Sequence, residues 1–288
     1  KKGPGTLEFD VPITRAVIQV PTVRYSLMPG NIGYIRIIQF TPFTDDKIKE
    51  AVESFRTQGY RSLIIDLRSN PGGLLTSAIE AADLFFNDGV IVSTRSRIQT
   101  ENAVYEAKPG VIVTPEIPIV VLIDGGSASA SEIFAGVMKD RKRATLLGTK
   151  SYGKGSVQQV RSLGRTGFRL TTARYYTPSG VTIDKVGVTP DIEVKEPTLS
   201  EKELEAHSKL IASRKIPAFV AENPNPSEGV IRRFIDELRR ESQDLSERVL
   251  RRLIRSEINR HLPNPPVYDL ENDLVLQEAV KFLQQGAR

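Results

Sequence analysis

The chain has 288 residues, of which 26% are charged and 39% hydrophobic, and this composition is that of an ordinary folded protein. There is no cysteine and there are two histidines, His207 and His261, so disulfides, thiolate metal sites and a cysteine nucleophile are excluded, and no metal or cofactor is expected. The net charge of +5 is too small to indicate nucleic-acid binding. No apolar run approaches the roughly 20 residues of a membrane span, so no integral membrane segment is expected.

The first thirty residues predict short strands. Residues 6–11 and 16–20 alternate between apolar and polar side chains, and Pro12 and Pro21 restrict these strands to edges or ends of a sheet. The chain opens without an apolar region of the kind found in a secretory signal, so we expect such a signal to be absent or already removed. We therefore treat residues 1–30 as an N-terminal β segment that leads into the core.

Between residues 31 and 196 the pattern alternates between apolar strands and amphipathic helices. This alternation is typical of an α/β fold in which helices cover a largely parallel sheet. Asp45 or Asp46 is expected to cap the first helix. The predicted strands cover residues 33–40, 62–67, 89–92, 117–123, 144–148 and 168–176, and the predicted helices cover residues 45–57, 75–85 and 127–140.

The remaining residues, 197–288, predict a helical C-terminal region. Helices are expected at 201–215 and 274–283, and residues 230–262 predict one long amphipathic helix or a helix pair. The apolar stripe from Ile231 to Ile258 is too large to stay solvated on a single helix, since burial contributes about 0.8 kcal/mol per CH₂. We therefore expect this arm to pack on a second copy and form a homodimer. The alternative is that it folds back on its own core.

A first segment whose residues could take part in catalysis lies between a buried strand and a helix, at residues 125–132. Three serines occur here, and the free amides at a helix N-terminus can stabilise an oxyanion. One serine could therefore act as a nucleophile. The alternative is that a serine only caps the helix, with Glu132 in its first turn.

A second segment, residues 148–156, nearly matches the phosphate loop G-x-x-x-x-G-K-[ST]. Gly155 replaces the hydroxyl residue that would hold magnesium, and the turn residues that follow leave no room for the helix of such a loop, so nucleotide binding is not expected. Lys154 is better explained as a general base. A serine nucleophile needs a base, and the chain offers no cysteine or well-placed histidine. A lysine base must be neutral, and burial favours the neutral form. Gln158, four residues on, could orient its amine.

A third segment, residues 66–73, ends in two glycines after a strand and before a helix. A glycine there can present its backbone N–H without obstruction by a side chain, and so could supply a second oxyanion donor. The alternative is an ordinary turn between a strand and a helix.

Taken together and in this order, these segments resemble the carboxy-terminal processing (tail-specific) proteases, peptidase family S41. The resemblance covers residues 1 to about 195. It rests on five motifs, at residues 66–73, 126–133, 151–158, 175–180 and 186–192.

The resemblance implies a serine endopeptidase with a compact α/β core akin to the ClpP/crotonase type. It implies Ser129 as the nucleophile, Lys154 as the base and Gln158 as the residue that orients it. The N–H groups of Ala130 and Gly73 would then be the oxyanion donors. Members of this family cut protein substrates near their C-termini outside the cytoplasm, which implies a periplasmic or other extracytoplasmic location.

Many members of the family also carry a PDZ domain, of which this sequence contains no complete copy. We expect that domain upstream of a protease core at residues 31–196. Two alternative functions stay open. One is a catalytically silent peptide-binding module on the same fold, and the other is a crotonase-like acyl-CoA enzyme, which shares backbone oxyanion donors but needs no serine and lysine pair.

Overall fold

The computed structural model describes Pro12, Thr14, Arg15 and residues 20–241 and 244–286. The strand predicted at residues 6–11, and most of that predicted at 16–20, lie outside the described residues. The elements are β1 (Val23–Met28), β2 (Ile32–Ile37), α1 (Thr44–Thr57), β3 (Ser62–Asp66), α2 (Leu75–Asp83), β4 (Val90–Ser96), β5 (Ala103–Glu106), β6 (Ile119–Ile123), α3 (Ala130–Asp140), β7 (Thr145–Gly148), β8 (Ser156–Leu163), β9 (Thr166–Tyr176), β10 (Ile192–Glu193), α4 (Glu201–Ser213), α5 (Lys215–Glu222), α6 (Glu228–Glu241), α7 (Glu247–His261) and α8 (Leu274–Gly286).

The main sheet has six strands in the order β1-β2-β3-β6-β7-β10. Strand β1 runs antiparallel to β2, and the other neighbours are parallel, as the alternation of strands and helices predicts. Both β3 and β6 are buried at every position, which explains their continuous apolar sequence. Strand β1, which lies in the expected N-terminal β segment, pairs with β2 along its whole length and forms the edge strand of this sheet.

One face of the main sheet is covered by α1, α2 and α3, whose apolar side chains form a single core with alternate residues of the strands. Helix α1 begins at Thr44, and Asp45 and Asp46 lie in its first turn, so the prediction that one of them caps it is wrong. The Thr44 hydroxyl instead accepts a hydrogen bond from the N–H of Thr41 at 2.8 Å, which stabilises this end of the helix.

The opposite face of the main sheet is covered by α8, at the far end of the chain. Val275, Leu276 and Leu283 pack there in one apolar cluster with Ile64 and Val120 of the sheet. Helix α8 therefore packs on the main sheet although it lies beyond the expected protease core at residues 31–196. Without α8, this apolar face of the sheet would be exposed to water.

Helices α4 to α7 form a third apolar cluster. The predicted stripe lies on two helices, α6 and α7, and its side chains pack with Ile216 and Val220 of α5. Its most deeply buried members are Ile235, Leu245, Leu250 and Ile254, each at most 1% exposed. The stripe is thus buried within one chain, and the argument that it requires a second copy is wrong. No helix in the described ranges is long and apolar enough to cross a bilayer.

A second sheet has the antiparallel order β5-β4-β9-β8. Strand β8 is at its edge and was not predicted. From residue 158 to 171, β8, β9 and the turn between them lie almost entirely exposed on both faces. Since neither face is buried, β8 lacks the alternation of apolar and polar residues that reveals a half-buried strand.

Candidate active site

Ser129 lies on a sharp turn between the end of β6 and the start of α3. Its φ of +56° and ψ of −114° are uncommon for a residue other than glycine, and strain of this kind clusters at functional sites. The helix predicted from residue 127 therefore begins only at Ala130. The turn leaves the Ser129 side chain half-buried at the N-terminus of the helix, where backbone N–H groups have no intrahelical partner.

The three serines of this turn have different surroundings. The Ser127 hydroxyl donates to the carbonyl of Leu67 at 2.8 Å, and the Ser131 hydroxyl donates to the carbonyl of Asn70 at 3.0 Å; both side chains are buried. The Ser129 hydroxyl occupies the capping position of α3, where its oxygen faces the N–H of Glu132 in a capping box. Its O–H donates no hydrogen bond to a described residue, in contrast to those of Ser127 and Ser131.

The glycine turn after β3 is held against Ser129 by Asn70. The buried Asn70 side chain donates to the carbonyl of Ile37 at 2.8 Å and accepts from the N–H of Gly72 at 2.9 Å. Gly72 has a φ of +105°, and a Cβ there would lie 2.7 Å from the Ala128 carbonyl oxygen and 3.0 Å from the Ala130 nitrogen. The glycine is required because two backbone segments approach too closely for any side chain.

Both predicted oxyanion donors lie at this junction. Asn70 occupies the N–H of Gly72, whereas the N–H groups of Gly73 and Ala130 donate no hydrogen bond to any described residue. Gly73 has a φ of +148°, and a Cβ there would lie 2.0 Å from the Phe40 carbonyl oxygen. Free amides on the turn and at the first residue of α3 are what a developing oxyanion requires.

Glu132 links the serine turn to the lysine loop, and the sequence analysis did not predict this role. Its carboxylate is fully buried and accepts four hydrogen bonds. One carboxylate oxygen accepts from the N–H groups of Ser129 and Lys154, both at 2.8 Å. The other carboxylate oxygen accepts from the Ser151 hydroxyl and the Gly153 N–H, both at 2.6 Å. An acid three residues after the serine is an ordinary first-turn residue in the sequence, so no signal separates this role from simple capping.

The Gly153–Gly155 segment fixes the backbone of Lys154. A Cβ at Gly155 would lie 2.1 Å from the Asp184 nitrogen, and Gly153 has a φ of +92°. The segment leads into β8 rather than a helix, which confirms that it is not a phosphate loop. The backbone of Lys154 is thus placed close to Ser129 through Glu132.

The side chains of Lys154 and Gln158 are not assembled with Ser129. Both residues are exposed, and no hydrogen bond joins either side chain to the Ser129 hydroxyl or to the other in the described structure. An irregularity in the pairing of β8 with β9 falls between Val157 and Gln158. The structure therefore brings Ser129 close to the two predicted oxyanion donors, whereas the exposed Lys154 side chain makes no hydrogen bond to Ser129.

Asp66 anchors the glycine turn to the rest of the fold. Burial would raise the pKa of Asp66, but the guanidinium of Arg68 and smaller contributions from Arg36 and Tyr34 outweigh burial and hold that pKa below its ordinary value. Arg68 also makes two hydrogen bonds to Asp273, at 2.8 and 2.6 Å. A chain of ion pairs thus joins the end of β3 to the start of α8. The described residues contain no group of three or more side chains suited to a metal ion.

Comparison with known proteins agrees with this geometry. The model of peptidase family S41 matches residues 31–194. A carboxy-terminal-processing protease of Bartonella bacilliformis is 48% identical over 216 residues, which are 70% of this chain and 49% of that protein. A carboxyl-terminal-processing protease of Synechocystis is 39% identical over 197 residues, which are 67% of this chain and 45% of that protein.

A solved structure of the photosystem II D1 C-terminal processing protease has a TM-score of 0.56 and 32% identity, covering 65% of this chain and 52% of that one. The α/β fold expected from the resemblance is confirmed. The chain spans about half the length of the curated relatives it matches. Since the family model covers more than half of the chain and the motifs meet in space around Ser129, the chain belongs to peptidase family S41.

Proposed function

We propose that this chain is the catalytic part of a serine endopeptidase that cuts protein substrates near their C-termini. One observation carries the proposal. Of the three serines in the turn, Ser129 alone is half-buried and donates no hydrogen bond from its hydroxyl to a described residue, and the free N–H of Ala130 follows it directly. A strained serine at a helix N-terminus is a typical arrangement for a nucleophile whose acyl intermediate is stabilised by backbone amides.

In the proposed reaction, the Ser129 hydroxyl attacks the scissile carbonyl while the Lys154 amine takes its proton. The carbonyl oxygen becomes an oxyanion and accepts hydrogen bonds from the N–H groups of Ala130 and Gly73. Lys154 then donates the proton to the leaving amine, the C–N bond breaks, and an acyl-serine remains. A water molecule, deprotonated by the same lysine, hydrolyses this ester and regenerates the hydroxyl.

Substrate binding would complete the site. A lysine in contact with water keeps its proton, whereas a lysine covered by an apolar surface loses it more readily. We propose that a bound peptide covers Lys154, excludes water from it and directs its amine toward Ser129, with Gln158 accepting a hydrogen bond from that amine. Two observations support this proposal: the Lys154 side chain is exposed, and its backbone N–H is already held by Glu132.

The substitutions Ser129→Ala and Lys154→Ala test this proposal. Each is expected to abolish cleavage of an unstructured protein such as casein, read by mass spectrometry of the fragments, with thermal unfolding unchanged. Lys150→Ala removes an exposed lysine four residues earlier and is the matched control, which should cleave at the normal rate. Undiminished cleavage by the Lys154→Ala variant would show that another group is the base.

A catalytically silent peptide-binding module is the second candidate, and the separation of the Lys154 amine from Ser129 favours it. A module of this kind would bind peptides without cleaving them under any condition. Fluorescence anisotropy with a labelled peptide, together with mass spectrometry of the same sample, separates the two functions. The acyl-CoA alternative has no support from the comparisons, because the matched family is a peptidase family.

The location and the PDZ domain are also proposals. We propose that the protein acts outside the cytoplasm, in a compartment such as the periplasm, and that a PDZ domain in the full protein reads the substrate C-terminus. Support comes from the kinship with processing proteases, one of which, from Arabidopsis thaliana, is named as chloroplastic and is 36% identical over 198 residues. Fractionation of cells that produce the full protein tests the location.

Homodimerisation is a separate proposal, and it no longer rests on the buried stripe. Its support is a smaller apolar surface on α4, where Leu204 and Ile211 are 52% and 53% exposed. These residues are seven positions apart and therefore share one face of the helix. Light scattering on the intact chain tests the proposal, and a monomer at micromolar concentration would refute it.

A further inference from the structure

The exposed hairpin next to Lys154 carries positive charge without acidic neighbours in sequence. We call residues 156–176 the ribbon; they comprise β8, its turn and β9. No acidic residue occurs between positions 150 and 183. The basic residues of this stretch are Lys150, Lys154, Arg161, Arg165, Arg169 and Arg174.

Three of these arginines are not neutralised by a carboxylate. Arg174 pairs with Asp184 at 3.0 Å, and the Arg161 guanidinium donates to the neutral amide of Gln159 at 2.8 Å. No ion pair to a described residue involves Arg161, Arg165 or Arg169, and all three are exposed. The ribbon therefore offers uncompensated positive charge to a partner.

The pairing register adds an apolar surface to one face of the ribbon. Residues directly opposite in antiparallel strands point to the same face, and alternate residues of one strand do so as well. Phe168 lies opposite Arg161 and Leu170 opposite Gln159, so Leu163, Phe168 and Leu170 share this face. Their side chains are 67%, 47% and 50% exposed. Adjacent large apolar groups in water are typical of a binding surface.

The ribbon extends away from the proposed reacting atoms along a free sheet edge. It begins two residues after Lys154, and β8 has no partner strand on its outer side within the described structure. Leu163 is seven residues beyond Ser156, which corresponds to about 23 Å of extended strand. A substrate chain lying along the ribbon would thus be contacted roughly seven residues from the scissile bond.

We propose that the ribbon is a docking surface for an acidic segment of the protein substrate that also carries apolar side chains. This inference rests on the proposed peptidase function and adds to it a preference for substrates. Arg161 on this face and Arg165 in the turn would attract the carboxylates, Arg169 on the opposite face would add to the local positive charge, and the face of Leu163, Phe168 and Leu170 would bury the apolar groups. Charge complementarity selects such a partner and raises its association rate, whereas burial of apolar groups lowers its dissociation rate.

Two other occupants fit less well. A nucleic-acid surface gains affinity from many phosphate contacts, but here large aliphatic side chains occupy the positions between few cations. A second copy of the ribbon would bring like charges together, which is destabilising. An acidic and partly apolar peptide satisfies both the charge and the exposed apolar area.

Binding to a catalytically inactive protein provides the first test, because it does not depend on hydrolysis. The protein carries Ser129→Ala, and the probe is a labelled peptide in which glutamate alternates with leucine; its matched partner has glutamine at every glutamate position. Anisotropy should show tighter binding of the glutamate peptide, and this preference should fall about five- to tenfold in the variant Arg161→Gln, Arg165→Gln, Arg169→Gln. The matched control Arg61→Gln, Lys108→Gln, Lys202→Gln removes three exposed cations elsewhere and should keep the preference.

Hydrolysis provides the second test and separates this proposal from the proposed function. The active chain should have a lower KM for the glutamate peptide than for the glutamine peptide, with similar kcat, because the basic and apolar groups of the ribbon lie beyond Gln158, at residues 161–170. The difference should diminish when salt is raised from about 0.05 to about 0.5 M. If neither peptide is cleaved but the binding preference is present, the peptidase proposal fails and the docking proposal stands.

Several results would overturn the docking proposal. It fails if the ribbon variant and the control variant show equal preference for the glutamate peptide. It also fails if a single-stranded oligonucleotide of equal charge binds as tightly to the same arginines, or if Leu163→Ser with Phe168→Ser leaves glutamate-peptide binding unchanged. Dissociation of a dimer in that last variant would identify the apolar face as an interface between copies.

Discussion

Replacement of Glu132 by glutamine tests the idea that one buried carboxylate holds the serine turn and the lysine loop together. A carboxylate has only acceptors, and this one accepts hydrogen bonds from Ser129, Ser151, Gly153 and Lys154. A glutamine amide keeps one acceptor oxygen and replaces the other with an NH₂ group. Because the Ser151 hydroxyl can accept from that NH₂ group, we expect the amide to face Ser151 and Gly153, where the hydrogen bond from the Gly153 N–H is lost. A hydrogen bond to a charged group contributes about 1.5–3 kcal/mol, so the free energy of unfolding should fall by about 2 kcal/mol.

Catalysis should be affected more strongly than stability. The lost bond holds Gly153, the neighbour of Lys154, and a displacement of about 1 Å between reacting groups can reduce the rate roughly 100-fold. Urea unfolding and peptide hydrolysis of Glu132→Gln would be compared with Glu80→Gln, which removes an exposed carboxylate from the neighbouring helix. The reasoning is refuted if Glu132→Gln unfolds within about 0.5 kcal/mol of the unmodified chain, or if it hydrolyses the peptide at the same rate.

Three further substitutions address the glycine turn and its anchor. Gly72→Ala would place a methyl group 2.7 Å from the Ala128 carbonyl oxygen, so kcat should fall about 100-fold with a small change in KM, and an unchanged kcat would contradict the close approach. The pKa of Asp66 is lowered in the folded state, so the contribution of its carboxylate to stability is present above about pH 4 and is lost as pH falls through the folded pKa. Urea unfolding measured at a series of pH values should show this loss. The variant Asp66→Asn should lack this part of the pH dependence. Asp273→Ala breaks both hydrogen bonds to Arg68 and should lower the free energy of unfolding by about 2 kcal/mol, whereas an unchanged urea midpoint would mean that α8 is held by its apolar contacts alone.

The strands and helices of the core were predictable because each has a periodic pattern. Strands β3 and β6 are buried on both faces and read as continuous apolar runs, and α1 to α3 place apolar residues on the face that meets the sheet. The antiparallel β1, the short β5 and β10 and the exposed β8 were missed. Pairing with a neighbouring strand stabilises these elements, and that pairing leaves no pattern in the local sequence.

The residues of the proposed site were found by the chemistry of their motifs, but their spatial relation was not predictable. Three serines stand in one turn with the same local sequence signals, and only the contacts of Ser127 and Ser131 with backbone carbonyls separate them from Ser129. The same holds for Glu132, whose partners Gly153 and Lys154 are about twenty residues away in sequence. Hydrogen bonds between distant segments exist only once the chain has folded.

The C-terminal region shows most clearly what the sequence by itself determined and what the tertiary structure decided. The periodicity of residues 201–286 determined that helices form and which side chains must leave water, because an apolar stripe cannot remain exposed. It did not determine what the stripes pack against. The fold directs α6 and α7 onto α5 and directs α8 onto the open face of the main sheet, where the ion pair between Arg68 and Asp273 joins the end of β3 to the start of α8. Burial of apolar surface is non-directional, so the choice of partner comes from shape, connections and ion pairs that arise only in three dimensions.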